Sequence, residues 1–143
     1  MTAPSPEGAG AALAMTHALS RAQLNPEEVD YINAHATSTP LGDIVETKAI
    51  KQCFGSHAQK LSISATKSMI GHSIGASAAI GSIATIMALK TGTIHPTINL
   101  VAPDPECDLD YTPNHAVRKP IQVGLCNAFG FGGNNSTLVF TIN

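Results

Sequence analysis

A chain of 143 residues is the size of one domain, so a single compact core is expected over 1–143. Hydrophobic residues make up 43% and charged residues 13%, which is about half the charge usual in soluble proteins. With a net charge of −2 and no run of either sign, this excludes a disordered tail, a charged coiled coil and a polybasic nucleic-acid binder.

No Trp, two Tyr and four Phe leave the core to Ala, Ile, Leu and Val, an interior that suggests a piece packed against other protein. Cys53, Cys107 and Cys126 are too few and too scattered for a disulfide scaffold, and the odd number points to a reducing compartment. The start of the chain has no basic region followed by an apolar run, so no secretory signal is expected. The longest uncharged apolar stretch, 73–89, falls short of the ~20 residues of a membrane span and is broken by Gly75, Gly81 and three serines. It reads as a buried helix.

In chain order, Ser5-Pro6-Glu7 predicts a capped helix start, with Leu13, Thr16, Leu19 and Ala22 following at helical spacing. Asn25-Pro26-Glu27-Glu28 repeats the signal for a short turn of helix. Residues 29–33 alternate and read as a strand, ending in the polar run 34–40. Asp43 and Glu46 make a capping-box pattern that opens a helix to about Phe54. Residues 61–64 form a second short strand. The long apolar helix follows, to about Lys90, apolar on every side and so expected to be covered on every side. Pro96, Pro103, Pro105, Pro113 and Pro120 mark an extended, covered loop. The chain closes with a strand over 122–127, a glycine turn over 129–133 and a strand over 136–142. Helices alternating with strands, then a terminal hairpin, indicate an α/β layered fold with a mixed sheet and a buried central helix.

Two histidines stand where such folds place chemistry. His35 follows a strand directly, and His72 lies just before the buried helix. Spacing alone weighs a functional pair and two unrelated histidines about equally. No short-spaced His/Cys cluster accompanies either, so zinc is a weak rival. Lys67-Ser68 lacks the upstream glycines of a phosphate loop, and the glycine turn leads into a strand, not a helix, so neither is a nucleotide motif. Cys107 and His115 read as structural.

The blocks Asn33-Ala34-His35-Ala36-Thr37-Ser38-Thr39-Pro40-Leu41-Gly42-Asp43, Thr66-Lys67-Ser68-Met69-Ile70-Gly71-His72 and Asn127-Ala128-Phe129-Gly130-Phe131-Gly132-Gly133-Asn134-Asn135-Ser136 stand in a set order. Together they resemble the signature blocks of the C-terminal half of β-ketoacyl-acyl carrier protein synthases. Residues 95–100 and 105–111 resemble the elongating, fatty-acid type, and the likeness covers essentially the whole chain.

The resemblance implies one half of a thiolase-like αβαβα fold, usually in a homodimer, carrying out decarboxylative Claisen condensation. It makes His35 and His72 the catalytic histidines, Lys67 the active-site lysine and Phe131 the gate. Phe129, Gly130, Gly132, Thr37 and Thr39 would line the substrate path. It implies no metal and no organic cofactor. The partners implied are acyl carrier protein and an N-terminal ketosynthase half bearing the nucleophilic cysteine, without which this chain is expected to be inactive. Neither nucleic acid nor a membrane span is expected, and the setting would be bacterial cytoplasm or an organelle. Where the family usually has a glutamate that, with residues matching Asn33, Cys126 and Asn127, helps some relatives hold a structural cation, this chain has Gly81. A non-catalytic assembly module and a polyketide ketosynthase remain as alternatives.

In chemical terms, two neutral imidazole N–H groups can stabilise an enolate oxygen, each donor being worth roughly 3–4 kcal/mol. Each ring then needs its proton fixed on the nitrogen that faces the substrate, and a backbone amide donating to the other nitrogen would do this.

Overall fold

The computed structural model describes residues 6–142. Ser5, expected to cap the first helix, lies outside them. The helix α1 runs Ala9–Ala22 and starts from Gly8 in the left-handed region at φ 67°. Its buried face is Ala11, Ala12, Met15 and Leu19, whereas Leu13 of the expected stripe points to solvent. The small residues decide this, because they let α1 lie close to its neighbours. Asn25 forms the expected turn: Glu28 Oε2 accepts the Asn25 backbone N–H at 2.7 Å.

Strand β1 (Tyr31–Asn33) follows, then α2 (Gly42–Phe54), β2 (Ser62–Ser64), the short α3 (Lys67–Ile70) and α4 (Ser77–Thr91). Strands β3 (Thr93–Ile94) and β4 (Val117–Arg118) pair with each other, and β5 (Val123–Phe129) and β6 (Asn135–Thr141) form the terminal hairpin. The main sheet is ordered β2-β1-β5-β6, with β1 parallel to both neighbours and β6 antiparallel to β5. Asp30 sets the β1–β5 register, its Oδ2 accepting the N–H of Gln122 at 2.7 Å and of Val123 at 3.1 Å.

Helices cover both faces of the sheet. Ile32, Leu125 and Val123 pack with α1 and α2, while Tyr31 packs with Ala88 and Leu89 of α4. The strand predicted to alternate between buried and exposed positions is therefore buried on both sides, as inner parallel strands are. On the α4 side Gly124 permits the contact, since a Cβ there would stand 2.9 Å from Thr85 Cγ2.

Two expectations fail, for one physical reason. Helix α4 buries only Gly81, Thr85, Ala88 and Leu89, and leaves Ile83 62% and Met87 50% exposed. The proline-rich passage is extended, but residues 99–106 largely face solvent while Leu109 and Thr112 are buried. Apolar or compact sequence calls for a cover, and these described residues supply it on one side only. Residues 74–91, with mean hydropathy 1.4, are long and apolar enough to cross a membrane by length and composition, yet α4 lies against β5 and β1 as a layer of the fold.

A side chain at Gly8 would meet Val45 O at 2.7 Å as well as adopting the left-handed backbone. Gly8→Ala should therefore destabilise the protein by at least ~1–2 kcal/mol, read as a lower urea midpoint. An unchanged midpoint would contradict the α1–α2 contact.

Candidate active site

The polar run after β1 is held by an acidic side chain that the sequence reading assigned to a helix cap. Glu46 is buried, and its two oxygens accept the backbone N–H of His35 and of Ala36, each at 2.9 Å. Asn127 Nδ2 donates to Oε1 at 3.1 Å, and Thr137 orients that amide by donating to Asn127 Oδ1 at 2.8 Å. Burial pushes the Glu46 pKa up, and the three N–H donors oppose this by binding the charged form. The predicted capping box is absent because the loop's amides take both carboxylates. Asp43 Oδ1 accepts Ser38 N–H at 3.1 Å, and Thr39 Oγ1 caps α2 through Gly42 N–H at 3.1 Å.

The other end of the His35 peptide is held by Lys67, whose Nζ donates to His35 O at 2.6 Å. Lys67 opens α3, and the turn after it delivers His72. The rings of His35 and His72 meet edge to face, with centroids 5.9 Å apart and planes at 86°. Burial first, then the positive charge of Lys67, holds the His35 pKa down to about 4, so this ring is neutral at physiological pH.

His72 has its proton position fixed. Ile74 N–H donates to Nδ1 at 3.0 Å, and Ser77 Oγ stands 3.0 Å from the same atom. Nδ1 is thus an acceptor, and the neutral ring carries its proton on Nε2. His35 Nδ1 is buried without a hydrogen-bond partner, so this ring lacks the backbone donor that fixes the tautomer of His72. Ala36 (φ 38°) and Ile74 (φ 47°) adopt left-handed backbone next to these rings. For a β-branched residue such as Ile74 this is strained, and such strain collects at functional sites.

Phe129 stacks near His35 with centroids 5.7 Å apart, while Phe131, the expected gate, is 76% exposed on the glycine turn. Gly132 supplies the turn's φ of 72°, and Gly130 N–H closes it onto Asn134 O at 3.1 Å. A cavity of about 680 Å³ is lined by Thr37, Thr39, Lys67, His72, Cys107 and Tyr111 among others, but not by His35. The cavity thus reaches the His72 side of the pair. Cys107, read as structural, faces this cavity.

The cation site of some relatives does not suit the residues here. Gly81 stands beside Cys126 and Asn33, but it offers no side-chain ligand, its carbonyl accepts from Thr85 and Asn33, and Asn127 is engaged by Glu46 and Thr137. Among the described residues no group of three His, Cys, Asp or Glu is placed to hold a metal ion.

The fold recurs in known proteins. The profile described as Beta-ketoacyl synthase, C-terminal domain, matches residues 1–101. A 3-oxoacyl-[acyl-carrier-protein] synthase 2 of Synechocystis is 53% identical over 98% of the chain and 34% of its own length. The enzyme of the same name in Coxiella burnetii is 50% identical over 99% of the chain and 34% of its length. A ketosynthase solved with its type II polyketide acyl-carrier protein superposes with a TM-score of 0.97 at 40% identity, over 100% of this chain and 35% of that one. A β-ketoacyl synthase from Burkholderia phymatum gives a TM-score of 0.90 at 37% identity, over 96% and 33%. The fold is thus half of a thiolase-like ketosynthase. Within that class the chain belongs to the β-ketoacyl synthase family, as its C-terminal domain, and spans about a third of the length of the curated relatives it matches.

Glu46→Gln offers the loop one acceptor oxygen and turns an NH₂ toward an N–H. It should cost about 1–3 kcal/mol in chemical denaturation, the loss of one satisfied buried hydrogen bond. A variant as stable as the original would show that the carboxylate does not hold the His35 amide.

Proposed function

We propose that this chain supplies the decarboxylation side of a β-ketoacyl-acyl carrier protein synthase. The observation that carries the proposal is the pair of imidazoles meeting edge to face, with Nδ1 of His72 held as an acceptor by Ile74 N–H so that Nε2 is its donor. In the reaction, the bond between the malonyl carboxylate and its α-carbon breaks and carbon dioxide leaves. The electron pair moves onto the thioester as an enolate. His35 and His72 donate hydrogen bonds to the oxygen that gains this charge, where each donor is worth roughly 3–4 kcal/mol. The enolate carbon then attacks an acyl thioester, and a cysteine thiolate departs with the electron pair. Lys67 adds to the burial that keeps His35 neutral and holds its carbonyl in place, while Thr37, Thr39 and Phe131 border the path of the substrate's arm.

That cysteine belongs to a complementary N-terminal half. Burial pushes the thiols of Cys53, Cys107 and Cys126 up in pKa, the reverse of what a nucleophile needs. Alone, the chain is expected to bind without turning over. The exposed Ile83 and Met87 on α4 fit a surface that such a half, and the homodimer built from it, would cover. Acyl carrier protein is the expected donor of both chains, and one structural relative is described in complex with such a carrier. Identity of 53% to a 3-oxoacyl-[acyl-carrier-protein] synthase 2, against 40% to the ketosynthase solved with a type II polyketide carrier, supports elongation of fatty acyl chains over polyketide synthesis.

The test is a chimera in which this chain replaces the matching third of the Synechocystis enzyme. His72→Ala should lower carbon dioxide release from malonyl-acyl carrier protein by about 10²–10³-fold, with acyl loading on the cysteine retained. Undiminished release would reject the assignment.

A further inference from the structure

His95 takes no part in the chemistry assigned so far, yet the proline-rich loop enters the site through it. The residue follows β3, and its Nδ1 lies 3.2 Å from Pro96 O, an acceptor only. The ring proton therefore sits on Nδ1, and Nε2 offers a lone pair. Thr66 Oγ1 lies 3.0 Å and Ser64 Oγ 3.2 Å from that atom. Asn33 Nδ2 donates to Thr66 Oγ1 at 2.7 Å, so the Thr66 O–H is free to donate to His95. Burial holds the His95 pKa below its usual value, which keeps the acceptor available.

Thr66 is the residue just before α3, where a threonine hydroxyl ordinarily turns back onto its own helix. Here it makes no such cap. Its neighbours are gripped by the same loop. Thr97 Oγ1 accepts Ala65 N–H at 3.1 Å, and Ser68 Oγ accepts Ile98 N–H at 3.0 Å. Residues 95–98 thus hold the chain on both sides of Lys67.

We propose that His95 is a positioning residue. As a neutral acceptor it fixes the Thr66 hydroxyl, and with Thr97 and Ile98 it splints the turn that aims Lys67 Nζ at the His35 carbonyl. A looser turn would free that carbonyl and shift His72, which follows on the same turn. The inference rests on the decarboxylation reading above.

The chimera tests both and separates them. His95→Leu, which removes the acceptor, should lower kcat for carbon dioxide release about tenfold or more. KM for malonyl-acyl carrier protein and the rate of acyl loading should stay within about twofold. His95→Gln, whose Oε1 can accept from Thr66, should restore most of kcat. Thr66→Val, nearly isosteric and gentler on folding, should reproduce the Leu variant's loss, and the double variant should be no worse than either single one. Wild-type release by the Leu and Val variants overturns the proposal. So does a loss of loading and release in equal proportion, or a Gln variant no better than Leu. Release that depends on His72 but not on His95 overturns positioning alone, whereas release independent of His72 overturns the decarboxylation reading and this inference with it.

Discussion

One peptide, that of His35, is gripped at both ends, and the site's geometry follows from that grip. Glu46 accepts its N–H from inside the fold, and Lys67 donates to its carbonyl from the turn across the sheet. A carboxylate taken out of water is expensive unless its oxygens are satisfied. Here the backbone of residues 35 and 36 and the Asn127 amide do this together. The loop can therefore hold the left-handed Ala36 that turns the chain over the end of β1. Remove the carboxylate and two loop amides lose their partner beside the left-handed Ala36.

The electrostatics of the two rings follow from the same arrangement. His35 is half-buried beside a lysine, so taking up a proton is unfavourable, and the ring stays a neutral donor. His72 is exposed, and its proton is directed instead by a backbone amide whose own residue sits in a strained conformation. Neutrality comes from burial in one case, and proton placement from hydrogen bonding in the other. An oxygen gaining charge between the rings would meet a donor already aimed on His72 beside the neutral ring of His35, which lowers the reorganisation left to make.

Much of this was legible in the sequence, and the exceptions have physical causes. The Asn25 turn, the short strands and the hairpin were readable, because caps and short apolar runs are local signals, whereas His35, His72 and Lys67 were singled out together only through the resemblance of their sequence blocks. Glu46 was misread because an Asp followed three residues later by a Glu usually marks a solvated helix start, whereas here Glu46 falls one turn into α2. The available signal was its stripe: Glu46, Ile50 and Phe54 recur every four residues, which puts the acid on the face that α2 buries. The face of α1 was misjudged because alanines and Met15, not the larger Leu13, make the close contact. Helix α4 reads as covered all round, and its uncovered side marks where this chain meets other protein in the proposed enzyme. The splint from 95–98 to 65–68 had no sequence signal, since it joins side-chain and backbone atoms some thirty positions apart.

The most direct measurement is a crystal structure of this chain joined to a cysteine-bearing ketosynthase half and soaked with a malonyl thioester analogue that cannot lose its carboxylate. The thioester oxygen should lie within hydrogen-bonding distance of Nε2 on both His35 and His72, with Glu46 still holding the His35 amide. An oxygen that reaches neither ring, or rings turned so that their Nδ1 atoms face the ligand, would contradict the account.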